Sequence, residues 1–152
     1  VAMSPSPLGR HQTALTRLSH ALRDAMEHSN CDAETIVELD WIIADDTVVR
    51  PDVMVVCGEP PDGHMHETPG LVAEVLSDST RQNDLTYKRQ LYHREGVDAY
   101  LVVDPVAETI TIDRRQKRGD YVTENVTGDL SIDLCERCQV RMDRDAIFRR
   151  SR

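Results

Sequence analysis

The sequence predicts an α/β domain with a mixed β-sheet flanked by helices, and three observations carry that prediction. An apolar stripe at helical spacing opens the chain. A short apolar strand pattern carrying one carboxylate lies in its middle and runs through a turn into a second helix, and segments with strand character fill most of the rest. The central stretch is LVAEVLSDSTRQNDLTYKRQLY, residues 71–92. Its first six residues are bounded by Pro69-Gly70 and by Ser77-Asp78-Ser79-Thr80, the pattern of a strand covered on both faces.

At 152 residues the chain is expected to form a single domain over 1–152 with a sizeable core. Charged residues make up 30% and apolar residues 39%, and no apolar run reaches membrane-spanning length, so no membrane is expected among its partners. The opening VAMSPSPLGR lacks the basic segment and hydrophobic core of a secretory signal. Four irregularly placed cysteines in a chain of this size point by default to a reducing cytoplasm and to ordinary buried thiols. The net charge of −9 argues against a general electrostatic grip on nucleic acid. It is unevenly spread: residues 1–113 hold 20 acids against 8 bases (−12), and residues 114–152 hold 7 against 10 (+3). The basic group Arg114, Arg115, Lys117 and Arg118 falls on a turn that either touches phosphates or is a solvated hairpin loop.

Element by element, Ala14, Leu15, Leu18, Ala21, Leu22, Ala25 and Met26 recur on one stripe and predict a helix over Gly9–His28, with His11 pointing inward. Residues 35–43 read as a first strand, Asp45-Asp46 as a turn and residues 47–56 as a second strand, interrupted by Arg50-Pro51-Asp52 as an edge or bulge would be. Residues 57–70 are a polar loop whose His64 and His66 read as a mobile tip rather than a metal pair. The central strand follows, then a helix opened by the capping box Ser79–Gln82 and closed at Gly96. Residues 99–103 form the next strand, and residues 109–112 and 121–123 a hairpin across the basic turn. MDRDAIF closes the reading as a helical turn packing Ile147 and Phe148. The order is α-β-β-β-α-β with a C-terminal β extension: antiparallel strands first, then a crossover helix to a parallel strand.

Alternation puts Asp52 with Met54 and Val56 on one strand face, and Glu74 with Val72 and Leu76 on another. A lone carboxylate such as Glu74 in an apolar strand is costly to bury unless a cation, donor or metal meets it. If the two strands are neighbours, both acids reach one ion. Two carboxylates, a backbone carbonyl and waters are a ligand set that Mg²⁺ favours. Lys88, alone among lysines in the first 116 residues, is the candidate ammonium for a phosphoryl transition state. The blander alternatives are an Asp84–Lys88 surface pair at i, i+4, an Asp52–Arg50 turn pair and a structural His11. Cys135-x-x-Cys138 is weak as a zinc or redox motif, because Cys31 and Cys57 stand apart from it.

RPDVMVV, LVAEVLSDST, the D-x-x-x-K-x-x-x-Y spacing of Asp84, Lys88 and Tyr92, GVDAYLVVDP and the opening MSPSPLGRHQ together resemble the restriction endonuclease family often called Uma, of the PD-(D/E)XK nuclease superfamily. The resemblance runs from Met3 to Phe148. It implies a restriction-endonuclease-like core and Mg²⁺-dependent hydrolysis of DNA phosphodiesters, with Mn²⁺ as a possible substitute. Asp52 matches the first acid and Glu74 the second. The superfamily's usual lysine position falls on Leu76, and Lys88 on the following helix matches the migrated lysine. Asp84, Tyr92 and His11 match family positions as auxiliary groups, and the backbone carbonyl of Val75 completes the metal set with Asp52 and Glu74. Leu101 stands where relatives carry tryptophan, a difference of packing, and Val1 resembles the end of an earlier strand whose start would lie upstream. Cutting both strands of a duplex favours a homodimer. The alternative is a non-catalytic module that binds nucleic acid or protein on the same scaffold. DNA against RNA, a recognition sequence and a pathway are not legible.

Overall fold

The computed structural model describes residues 9–77 and 83–148. Helix α1 (Gly9–His28) leads into β1 (Ala33–Val37), β2 (Trp41–Ala44), β3 (Thr47–Val49) and β4 (Val53–Cys57). Then come β5 (Leu71–Val75), α2 (Asn83–Glu95), β6 (Ala99–Asp104), β7 (Thr109–Arg115) and β8 (Tyr121–Asn125). A last hairpin, β9 (Asp129–Leu134) and β10 (Cys138–Asp143), ends in the short α3 (Asp145–Phe148). Six strands make one sheet in the order β1-β4-β5-β6-β7-β8. β5 and β6 run parallel across the α2 crossover, and the other neighbours are antiparallel. This is the mixed α/β architecture expected from the element order.

Strand alternation splits the core in two. Val53, Val55, Leu71, Ala73 and Val75 face α1, whose Leu15, Leu18, Leu22 and Met26 cover them together with Leu130, Ile132 and Val140 of the last hairpin. Leu101, where the resemblance implies tryptophan, is fully buried in this layer. Met54, Val56 and Val72 face the other way, toward Leu91 and Tyr92 of α2, Tyr100 and Trp41. All five residues of β5 are buried, as a central strand requires.

The segment read as one strand over residues 35–43 is two. Glu38 takes a left-handed backbone (φ 50°), and the chain turns there. β1 stays in the main sheet against β4, while β2 folds away to pair with β3 as a separate ribbon. Pro51 marks the matching break on the second strand. Arg50 Nε donates to Asp40 at 2.7 Å, which ties the two bends together. Arg50 is therefore the partner of Asp40 rather than of Asp52. The ribbon carries Trp41 into the second core at 1% exposure.

The loop holding His64 and His66 is not a free tip. Met65 is buried at 4%, its N–H donates to the Asp40 carbonyl at 2.9 Å, and its carbonyl accepts from Ile42 N–H at 2.8 Å. The capping box Ser79–Gln82 lies outside the described residues; Gly96 at φ 79° closes α2 as expected.

The cysteine reading is corrected. Cys31 bonds to Cys138 and Cys57 to Cys135, each with Cα atoms 5.5 Å apart, and no cysteine is free. The β9–β10 turn sits between the end of α1 and the end of β4, so the two halves of C-x-x-C reach different partners. Connectivity of this kind cannot be deduced from spacing. Irregular placement of the cysteines therefore gives no ground for expecting a reducing compartment. Among the described residues no helix is long and apolar enough to cross a membrane.

The loops closed by the two bonds span 107 and 78 residues. Chain entropy assigns about 4–5 kcal/mol to either bond taken alone, less to the second because its loop is nested in the first. Thiol titration of the unfolded protein should therefore find no reactive groups before reduction and four after it. Reduction should lower the thermal midpoint by roughly 10 °C or more. Titration of all four without reductant would refute the pairing.

Candidate active site

The ladder between β4 and β5 ends at the pair Val53–Ala73. One step further, Asp52 lies opposite Glu74, and opposite residues of an antiparallel pair share a face. Continuing the register would set Pro51 against Val75. There the Val75 N–H finds a side chain instead, donating to Asp52 Oδ2 at 2.7 Å. The proline that stops the ladder thus leaves a donor that fixes the Asp52 carboxylate. On the other side of β5, Leu76 N–H bonds to the Val103 carbonyl at 2.8 Å, so the strand end is held from both neighbours.

Glu74 is 5% exposed. Tyr92 Oη donates to its Oε1 at 2.8 Å, and Lys88 Nζ lies 3.4 Å from the same oxygen. Lys88 and Tyr92 are one turn apart on α2, so a single face of that helix supplies both partners. Tyr92 is itself immobilised: its ring stacks on Trp41 (centroids 6.1 Å, 9°) and meets Tyr100 edge-on (5.1 Å, 64°). Burial pushes the Glu74 carboxyl up to about 7; the Lys88 charge opposes this, the Asp52 carboxylate adds to it, and the Tyr92 and Lys88 hydrogen bonds restrain it.

From the opposite helix, His11 Nε2 comes to 3.6 Å from Asp52 Oδ2, a close contact longer than a good hydrogen bond. Its Nδ1 is buried with no hydrogen-bond partner among the described residues. His11, Asp52, Glu74, Val75, Leu85 and Lys88 line one cleft of about 150 Å³ at the C-terminal end of β5. The structure therefore brings Asp52, Glu74, Lys88, His11 and Val75 together, with Tyr92 beneath them. The Asp84 side chain lies outside the described residues. His64 and His66 line a separate depression with Glu59 and Glu67.

Among the described residues, no three His, Cys, Asp or Glu side chains are grouped as a metal site. What the cleft offers is two carboxylates beside the main chain of Val75. That donor set suits a hard cation that keeps part of its water shell, and does not suit zinc.

A second polar group escaped the sequence reading. Asp113 of β7 is 3% exposed and is bound by Arg89 and His93 of α2. Alternation conceals it: in TITID the acid shares a face with Thr109 and Thr111, opposite Ile110 and Ile112, and so reads as an outward polar position.

The fold is a mixed α/β sheet flanked by helices, with an acidic cleft at the end of a central strand. Among solved structures the chain is similar to one described as a "putative nuclease belonging to DUF820" from Anabaena variabilis, with 18% identity and a TM-score of 0.71 over 97% of this chain and 84% of that one. The family model described as "Uma2: Putative restriction endonuclease" matches residues 1–142, and the chain belongs to that family. A search of curated proteins found no match.

Because the folded Glu74 carboxyl titrates near 7, above its ordinary 4.5, the folded state binds the extra proton between those values. Stability without added cation should be greatest below about pH 4.5 as far as Glu74 is concerned, and should decline as pH rises through 7, by up to about 3 kcal/mol. Glu74→Gln should flatten that slope in denaturant titrations. Tyr92→Phe, which deletes a donor to the ionised form, should move the transition to higher pH. An unchanged slope in Glu74→Gln would show that another group titrates.

Proposed function

We propose that this chain is a Mg²⁺-dependent nuclease that hydrolyses phosphodiester bonds in DNA, with Mn²⁺ able to substitute. The observation that carries the reading is the meeting of Asp52, Glu74 and Lys88 in one cleft at a strand end. Membership of the family supports it. Asp52 and Glu74 would hold the metal with the Val75 main-chain carbonyl. When bound, the ion polarises the phosphoryl oxygen and lowers the pKa of a coordinated water.

The remaining work falls to the chain's own groups. The Val75 N–H holds Asp52 in one orientation, and Tyr92 holds Glu74 in one orientation, so neither carboxylate has to reorganise when charge arrives. Lys88 stands beside Glu74, with a fifth of its side chain exposed, where its ammonium meets charge developing on the phosphoryl oxygens. His11 borders Asp52 and serves as an auxiliary hydrogen-bonding group. A homodimer, two clefts acting on two strands, is the assembly this chemistry favours for duplex cleavage.

The second reading is a non-catalytic binding module, and the net charge of −9 favours it, since so acidic a chain holds a polyanion poorly without a bridging cation. Nicking of supercoiled plasmid decides between them. Wild type with Mg²⁺ should convert supercoiled to open-circular DNA, and chelation should stop it. Asp52→Ala, Glu74→Ala and Lys88→Ala should each lose about 100-fold or more in rate. Cleavage that persists in all three variants would refute these residues. Tight binding of DNA or of a protein partner without any cleavage would establish the module instead.

A further inference from the structure

Among the described residues the buried charged side chains are Glu74 and Asp113, and α2 grips both. Lys88 and Tyr92 reach Glu74 on β5. The next residues along, Arg89 and His93, reach Asp113 on β7. β6 lies between those strands, so the helix is pinned at two points across the width of three strands.

The second anchor is extensively bonded. Arg89 donates from Nε to Asp113 Oδ2 at 2.6 Å and from Nη2 to Oδ1 at 2.7 Å, a bidentate pair. His93 Nε2 lies 2.7 Å from Oδ2, and Thr123 Oγ1 donates to Oδ1 at 2.7 Å. The His93 ring stacks on Tyr121 at 3.8 Å and 3°, and Tyr121 Oη donates to the Val97 carbonyl just past the helix end. Burial alone would raise the Asp113 pKa, but the Arg89, Thr123 and His93 hydrogen bonds outweigh it and hold the carboxyl below its ordinary value.

Apolar packing holds α2 at one place along its length, around Leu91 and Tyr92. From Leu85 onward its fully buried residues are Leu91 and Tyr92. A buried ion pair is seldom the most stable way to fill such a space; a hydrocarbon pair of equal volume often does as well or better. What a bidentate pair adds is a defined geometry. Adjacent helical residues point about 100° apart, so anchors at 88/92 and 89/93 together set the rotation of the helix as well as its height.

We propose that Asp113, with Arg89 and His93, is a positioning device that sets Lys88 against Glu74. The proposal rests on the nuclease reading for its catalytic consequence, and on geometry alone for the placement of Lys88. Asp113→Asn should lower kcat for plasmid nicking by about ten-fold or more while KM stays within about two-fold, because the groups touching substrate are unchanged.

A second readout needs no activity. The chain has two lysines, Lys88 and the exposed Lys117. Reductive methylation followed by peptide mass spectrometry should show Lys88 reacting several-fold faster, relative to Lys117, in Asp113→Asn than in wild type. If Asp113→Asn does not fold, Thr123→Val, which removes the two hydrogen bonds of one hydroxyl (to Asp113 Oδ1 and from Arg89 Nη2) and leaves the bidentate pair, should give smaller changes of the same sign. A folded Asp113→Asn with wild-type kcat and wild-type Lys88 labelling would overturn the proposal. A loss of thermal stability with both readouts unchanged would also overturn it, leaving a merely structural ion pair. If wild type cuts nothing, the nuclease reading fails, and the labelling ratio still decides whether the clamp places Lys88.

Discussion

A carboxylate in the middle of a buried strand sets the terms for everything around it. Glu74 sits in β5, with hydrocarbon on both faces, and an unmet charge there would cost several kcal/mol. The molecule answers from α2 with a hydroxyl and an ammonium, and the hydroxyl in turn has to be held. Tyr92 is wedged between Trp41 and Tyr100, and Trp41 reaches that place only because the β2–β3 ribbon leaves the main sheet. The bends at Glu38 and Pro51, the Arg50–Asp40 tie and the burial of Met65 are all part of seating that ribbon. Irregularities that look like poor strand formation are the support of one acidic side chain.

The parts legible in the sequence are those set by local period and short-range register. Alternation alone puts Asp52 and Glu74 on compatible faces, and the α2 stripe of Lys88 and Tyr92 follows from 3.6 residues per turn; the resemblance to a nuclease family pointed to the same residues. α1 and β7 carry periodic signals, and β5 and β6 are continuous apolar runs bounded by turn residues. The single strand read over residues 35–43 failed because Ile36 before the turn and Leu39, Trp41 and Ile43 after it pack into the same core, so a continuous apolar pattern concealed a turn at Glu38. The β9–β10 hairpin was underread although Leu130, Ile132 and Leu134 alternate cleanly. Its burial depends on α1, more than a hundred residues earlier, and no window contains both. The disulfides and the Asp113 cluster were illegible for the same reason, being made by partners distant in sequence.

The site and the covalent crosslinks occupy opposite ends of the sheet. The acids gather at the C-terminal end of β5, where β4 begins. The sulfurs gather at its N-terminal end, where β4 finishes and Gly70 approaches Cys57 so closely that an added Cβ would lie 3.1 Å from Sγ. Forces that hold the chain together thus do not compete for space with the polar groups of the cleft. The cleft can keep two like charges near each other, an arrangement unfavourable for folding, because rigidity is supplied elsewhere.

The nesting of the two disulfides has a consequence for damage. Cys31 and Cys57 both precede, and Cys135 and Cys138 both follow, every peptide bond between residues 57 and 135. A protease that cuts once in the exposed 116–119 turn, or in the loop after Gly58, therefore produces two fragments still joined at two points. Such a clipped molecule keeps the mass of the whole chain plus one water and separates only when its sulfurs are reduced. An intact band on a non-reducing gel is therefore no proof of an intact backbone.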